Sequence, residues 1–208
     1  MFREFIKTSL QVIAPASCLI CNRNTLSGIL CRSCTPRVSL NYQPAGVYIW
    51  EYTEQVSKII SLAKYKPSPA LCKKLGEILG GAIIHWAFEK GFDFIVPIPP
   101  SRAHLTERTF SHTGVIASNA SYETTIPILF RALSHVGTNQ AQVGLSHDER
   151  LKNVAEAFKA DSKLVSGQKI LLIDDVITTG ATAKAAYRAL IEAGAEAASI
   201  ATLAKVAK

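Results

Sequence analysis

The sequence predicts an α/β fold, a parallel sheet with helices on both faces, preceded by a small N-terminal metal-binding module. Three observations carry this. Ile170 to Ile173 and Phe92 to Ile98 are mainly apolar runs, too short for helices and rich in β-branched residues, as doubly buried strands require. Helical patterns at 54–65, 71–89 and 183–193 alternate with such runs. Near the N-terminus, Cys18-x-x-Cys21 and Cys31-x-x-Cys34 stand nine residues apart. The expected division is 1–45 for the module and 46–208 for the α/β domain.

Length and charge set bounds on function. The chain has 208 residues, 48% of them hydrophobic, which suits one ordinary core plus an appendage. Its net charge of +7 is uneven: residues 1–66 hold eight Lys/Arg against three Asp/Glu. A basic N-terminal third invites a polyanion such as nucleic acid, although four metal-bound thiolates would offset about two of those charges. No run approaches the ~18–20 apolar residues that cross a bilayer. Phe2, Phe5, Ile6, Leu10 and Ile13 fit one face of a short amphipathic helix rather than a secretion signal. The expected setting is cytoplasmic, with the inner membrane reached only through a partner.

Taken in order, the first element is the cysteine module. Two Cys-x-x-C pairs can close a tetrahedron of four sulfurs around structural Zn²⁺, with Asn22 and Gly28 suited to its tight turns. A disulfide framework and an iron–sulfur cluster are the alternatives. Because the metal supplies the folding energy, the module is expected to have a core separate from the sheet. Val47 to Tyr52 reads as a strand, and Tyr42, Tyr48, Trp50 and Tyr52 are either core or a stacking surface for single-stranded DNA. The helix at 54–65 ends in Lys64-Tyr65-Lys66, where Lys64 and Lys66 meet phosphates or simply solvate a basic helix end. Cys72, in the next helix, reads as a buried apolar residue.

After Phe92 to Ile98 comes a polar loop containing Arg102, His104, Arg108 and His112. Loops at strand C-termini build the crevice of a parallel sheet, and arginine forks suit a pyrophosphate. A histidine in such a loop is expected to be solvated. Ile126 to Leu133 reads as a third strand. Between 142 and 158, Leu145, Val154 and Phe158 read as core anchors, leaving Gln142, Arg150 and Asn153 to face a ligand. Ala198 to Val206 reads as the last strand.

The chemistry concentrates in Asp174-Asp175-Val-Ile-Thr178-Thr179-Gly180-Ala181-Thr182, where a strand, a tight polar turn and a helix succeed one another. Backbone N–H groups and the dipole of the helix make Thr178 to Thr182 an anion cradle, most naturally for a phosphate. A carboxylate would repel that phosphate, so Asp174 and Asp175 are expected to serve other parts of the same ligand, such as ribose hydroxyls. Two strand-end acids and a turn chosen for shape is the bland alternative.

This segment closely resembles the phosphoribosyl pyrophosphate motif of type I phosphoribosyltransferases. Together with the cysteine pairs, Lys64-Tyr65-Lys66 and the Gln142-x-x-Leu145, Arg150-x-x-Asn153-Val154, Ala157-Phe158 spacing, it is similar to the ComF/GntX family. The loop departs from that pattern: relatives often read Arg-Gly-Phe-Asn-Gln, and here Arg108-Thr-Phe-Ser-His112 stands instead. The resemblance implies a phosphoribosyltransferase-like domain behind a zinc module. It implies phosphoribosyl pyrophosphate or a related nucleotide as ligand, Mg²⁺ bound with it, and Asp174 and Asp175 as the catalytic pair. It further implies a competence protein that supports DNA uptake, with single-stranded DNA and an uptake helicase as candidate partners. The alternatives are an active phosphoribosyltransferase of nucleotide metabolism and a zinc-dependent docking module. No motif names an acceptor.

Overall fold

The structure, a computed structural model, describes residues 17–25, 29–66, 68–100, 110–136 and 157–207. Its main sheet has five strands in the order β1-β2-β7-β6-β3: β1 (Asn41–Gln43), β2 (Gly46–Glu51), β3 (Phe94–Pro97), β6 (Lys169–Ile177) and β7 (Ala197–Lys205). β2, β7, β6 and β3 run parallel, and β1 adds an antiparallel edge. Gly46 is where a side chain would not fit: a Cβ there would lie 1.8 Å from the Ile200 carbonyl oxygen of β7.

The apolar run that marked β6 does its packing by alternation. Ile170 and Leu172 face one cluster, with Val165, Ala186 and Leu190. Leu171 and Ile173 face the other, with Leu75, Leu79, Ile83 and Ile116. Full burial of a Leu or Ile side chain is worth roughly 1.5–3 kcal/mol, so a strand buried on both faces is the organising element of the core. The helices sit accordingly on both faces: α2 (Pro69–Lys90) and α3 (His112–Thr124) on one, α5 (Ala181–Glu192) on the other. α1 (Glu54–Tyr65) begins at Thr53, whose side chain accepts from the Val56 N–H, and buries Val56, Ile59, Ile60 and Ala63. That is a 3.6-residue stripe.

α2 and α3 approach closely because small residues line their seam. A Cβ on Gly76 would stand 2.4 Å from the Ile116 carbonyl oxygen, and one on Gly80 would stand 2.6 Å from the Glu123 Cβ. This contact fixes the N-terminus of α3, and with it His112, against the end of β6.

Several expectations change. Ile126 to Leu133 is not a strand. Only Ile128 bridges β3, at Ile95, since Pro127 has no N–H to give and the chain turns at 130–131. β4 (Leu133–His135) follows and pairs antiparallel with β5 (Phe158–Ala160), ahead of the single-turn α4 (Ser162–Val165). The helix at 112–124 was not legible as one. The cysteine module has no separate core either: Cys18, Leu30 and Cys34 belong to the same cluster as Val47, Ile59 and Leu203. Trp50, at 2% exposure, is a core residue and no stacking surface, whereas Tyr42 is exposed. Cys72 is fully buried, as expected. So is the side chain of Phe158, almost entirely. The expected N-terminal helix, Gly28, His104, Leu145 and Val154 lie outside the described residues.

Candidate ligand cleft and cysteine cluster

The C-terminal ends of the parallel strands open into a cleft of about 440 Å³. Tyr52 after β2, Pro99 and Pro100 after β3, Asp174 and Asp175 from β6, and Thr178 just after it line it. Lys64 and Tyr65 enter from α1, His112 from α3, and His135 from β4. This is where an open α/β sheet binds its ligands.

Asp175 is the buried centre of the site. Its Oδ1 stands 2.9 Å from Lys64 Nζ and its Oδ2 2.6 Å from His112 Nε2. Burial alone would raise its pKa, but the His112 hydrogen bond and the Lys64 charge outweigh that and hold the carboxyl below its usual value. An ionised carboxylate only accepts, so the proton of this contact belongs to Nε2. Asp174 is different. Half-buried on the cleft wall, it accepts the Asp175 N–H at Oδ1, 2.9 Å away. Its pKa is pushed up to about 8, by burial first and by the Asp175 charge second. Two adjacent acids therefore have opposed protonation preferences.

The Thr178–Thr182 turn brings Thr178 and Thr182 to the same cleft. Gly180, at φ 79°, is the N-cap of α5 and offers no side-chain cap; that left-handed turn is easy only for glycine. Thr179 Oγ1 accepts the Ala181 N–H at 3.3 Å, and the dipole end of α5 faces the turn. Among the candidates named from sequence, Lys64, Asp174, Asp175, Thr178 and Thr182 thus share one cleft, with Thr179 and Ala181 in its turn. Gly180 instead lines a second, apolar cavity of about 290 Å³ with Gln43 and Tyr187. Lys66 is exposed and is not part of the lining. Arg102, Arg108, Gln142, Arg150 and Asn153 lie outside the described residues.

His112 corrects the expectation of a solvated loop histidine: it is a buried residue that opens a helix and holds Asp175. Its partner lies 63 residues away, so no local pattern signals the pair. His135, stacked edge-on against Phe158 at 5.1 Å between centroids, is a second lining residue that the sequence did not single out.

The four cysteines form the other site. The sulfurs of Cys18, Cys21, Cys31 and Cys34 all lie within 4.8 Å of one another, and Cys21 and Cys31 approach to 3.6 Å. Tetrahedral Zn–S bonds of ~2.3 Å require sulfurs ~3.8 Å apart, so the set fits zinc. Asn22 makes the turn with φ 56°, a conformation Asn tolerates. A Ser33 hydroxyl, first among several hydrogen bonds, draws the Cys31 thiol down to about 6, while burial beside the other sulfurs pushes Cys34 up to about 12. Gln55, in the first turn of α1, donates to the Cys34 carbonyl at 2.9 Å. α1 thus touches the cysteine cluster at one end and, through Lys64, the acidic cleft at the other.

A phosphoribosyl transferase domain model matches residues 116–208. Competence protein ComFC of Bacillus subtilis is 26% identical over 90% of this chain and 77% of its own length. DNA utilization protein YhgH of Escherichia coli is 24% identical over 86% of each chain. Competence protein F of Haemophilus influenzae is 24% identical over 90% of each. Among solved structures, a glutamine phosphoribosylpyrophosphate amidotransferase from B. subtilis overlaps 68% of this chain and 30% of its own, with 20% identity and a TM-score of 0.47. No helix among the described residues is long and apolar enough to cross a membrane. The chain thus matches a phosphoribosyl transferase domain over residues 116–208 and is similar, over most of its length, to proteins named for competence and DNA utilization.

Proposed function

We propose that this protein binds phosphoribosyl pyrophosphate, or a nucleotide built on the same sugar phosphate, and works in the uptake or use of external DNA. The observation that carries the reading is the cleft itself: an acidic pair and a threonine-rich helix N-terminus set side by side at the C-terminal edge of a parallel sheet. The 5′-phosphate lies on the backbone of Thr178 to Thr182, where N–H groups and the α5 dipole favour an anion. The ribose hydroxyls meet the acidic side of the cleft. Mg²⁺ accompanies the pyrophosphate and offsets its charge. Arg102 and Arg108, which follow β3 in the sequence, are the proposed contacts of that pyrophosphate, and Gln142, Arg150 and Asn153 further ligand groups.

The relatives' names support the DNA half of the reading. The basic N-terminal third gives single-stranded DNA a surface, and a helicase or channel of the uptake machinery is the proposed protein partner. Zn²⁺ on Cys18, Cys21, Cys31 and Cys34 is structural, since four sulfur ligands leave no open position. No described residue nominates an acceptor. Turnover is accordingly a separate question, answered by pyrophosphate release with purine, pyrimidine and DNA acceptors.

Calorimetry tests the binding reading. Phosphoribosyl pyrophosphate with Mg²⁺ should bind the wild type, and the Asp174→Ala/Asp175→Ala double variant should bind it less well by roughly 1–3 kcal/mol per hydrogen bond lost. Inorganic phosphate should bind both, since the cradle is untouched. Equal affinity of both proteins for the sugar ligand would make the acids structural and overturn the reading.

A further inference from the structure

Resting on the sugar-phosphate reading of the cleft, the geometry assigns unequal work to the two acids. We infer that Lys64 and His112 hold Asp175 as an internal anchor, leaving Asp174 as the acid that meets the ligand, and that His112 is a positioning residue acting through Asp175.

The argument starts from occupancy. Both oxygens of Asp175 are committed, one to Lys64 at 2.9 Å and one to His112 at 2.6 Å, and the side chain is only 6% exposed. A ligand hydroxyl finds little room there. Asp174 lines the same cleft, is half-buried, and spends one oxygen on the Asp175 N–H. Its other oxygen has no protein partner to displace among those the structure records.

The anchor joins three elements. Lys64 lies in the last turn of α1, His112 begins α3, and Asp175 lies near the C-terminal end of β6, while α2 contributes the buried Cys72 thiol close enough to feel the carboxylate. Among the described residues, these and Asp174 are the titratable groups recorded as interacting with Asp175. From the first position of α3, His112 supplies the N–H donor that the Asp175 carboxylate accepts. The close Gly76 and Gly80 seam holds α3 where His112 can reach. Because the Asp174 carboxyl accepts from the Asp175 backbone, fixing Asp175 also fixes the orientation of Asp174. Buried charge-assisted hydrogen bonds of this kind set geometry strongly.

The test uses the full chain and two probes, phosphoribosyl pyrophosphate with Mg²⁺ and inorganic phosphate. His112→Ala should weaken the sugar ligand about tenfold, the cost of one charge-assisted hydrogen bond. His112→Gln, whose amide N–H reaches the same carboxylate, should recover most of that, and Asp174→Asn should lose at least as much as His112→Ala. Inorganic phosphate affinity should stay unchanged in all three. A His112→Ala variant that binds the sugar ligand like wild type overturns the inference, as does an equal loss for inorganic phosphate. Proton NMR supplies a reading independent of the ligand. A hydrogen-bonded Nε2–H signal from His112 should vanish in Asp175→Ala, which removes the acceptor, and survive in Asp174→Asn; its survival in Asp175→Ala also overturns the inference. If wild type binds no phosphoribosyl pyrophosphate at all, the sugar-phosphate reading fails, and this ring signal alone decides whether the anchor exists.

Discussion

At Asp174 a half-buried carboxyl group has a second carboxylate one peptide away. Its raised value, about 8 against 3.8 for the free acid, means that folding favours the protonated form. The sign follows: the cost is absent below pH ~4, grows through the window from ~4 to ~8, and is constant above it. Asp174→Asn should therefore stabilise the ligand-free protein little at pH 4.5 and fully at pH 9, on the order of 1–3 kcal/mol after discounting for its contact with solvent. Thermal melts at the two pH values check this; an equal effect at both would show that burial of the acid is not the cause. Asp175 behaves oppositely, since its lowered value adds stability above pH ~4 that is lost as acid protonates it. Asp175→Asn should destabilise at neutral pH by about 2–4 kcal/mol, because Lys64 and His112 are left facing a neutral amide. Asp174, an acid whose replacement by asparagine should stabilise the free protein, is what a binding site built against its own stability looks like.

Among the elements, the α2–α3 seam is the most sensitive to a single side chain. Gly80→Leu would drive a side chain into the Ala120 backbone and Glu123, and should cost about 2–4 kcal/mol while displacing His112 from Asp175. A chemical melt together with the His112 ring signal separates the two effects. The cysteine cluster is tied in the same way. Cys18→Ser or zinc removal should lower the stability of the sheet as well as the module, since Cys18, Leu30 and Cys34 pack in one cluster with Val47 and Ile59. Metal analysis should find one Zn²⁺ per chain, and a metal-free preparation with an unchanged melt would contradict the assignment. Which elements were legible follows from their signals. α1 was, bounds included, because its apolar stripe and cap are local. β6 was, because a doubly buried strand needs an unbroken apolar run. α3 was not: Gly114, Ser118, Asn119, Ser121 and Thr124 are weak helix formers, and packing against α2 overrides them. The acids and threonine turn were readable because they are contiguous, whereas the partners that hold Asp175 come from other elements and only folding brings them near.

Over the whole molecule, a net charge of +7 concentrated towards the N-terminal third sets the expected response to DNA. Single-stranded DNA should bind with an affinity that falls steeply with salt, as counterions are released. Lys66→Ala, which alters an exposed lysine outside the cleft, should weaken binding evenly across sequences. Filter binding at two salt concentrations decides it; salt-independent binding, or none at low salt, would favour the zinc-dependent docking module. The cleft and the cysteine cluster share α1, through Gln55 at one end and Lys64 at the other. Loss of zinc should for that reason weaken the sugar ligand too. The most direct measurement is a crystal structure of the protein with phosphoribosyl pyrophosphate and Mg²⁺. The account predicts the 5′-phosphate within hydrogen-bond distance of the Thr178–Thr182 backbone and a ribose hydroxyl on Asp174, with Asp175 still held by Lys64 and His112. Density in the apolar cavity beside Gln43 and Tyr187, or a sugar turned away from both acids, would contradict it.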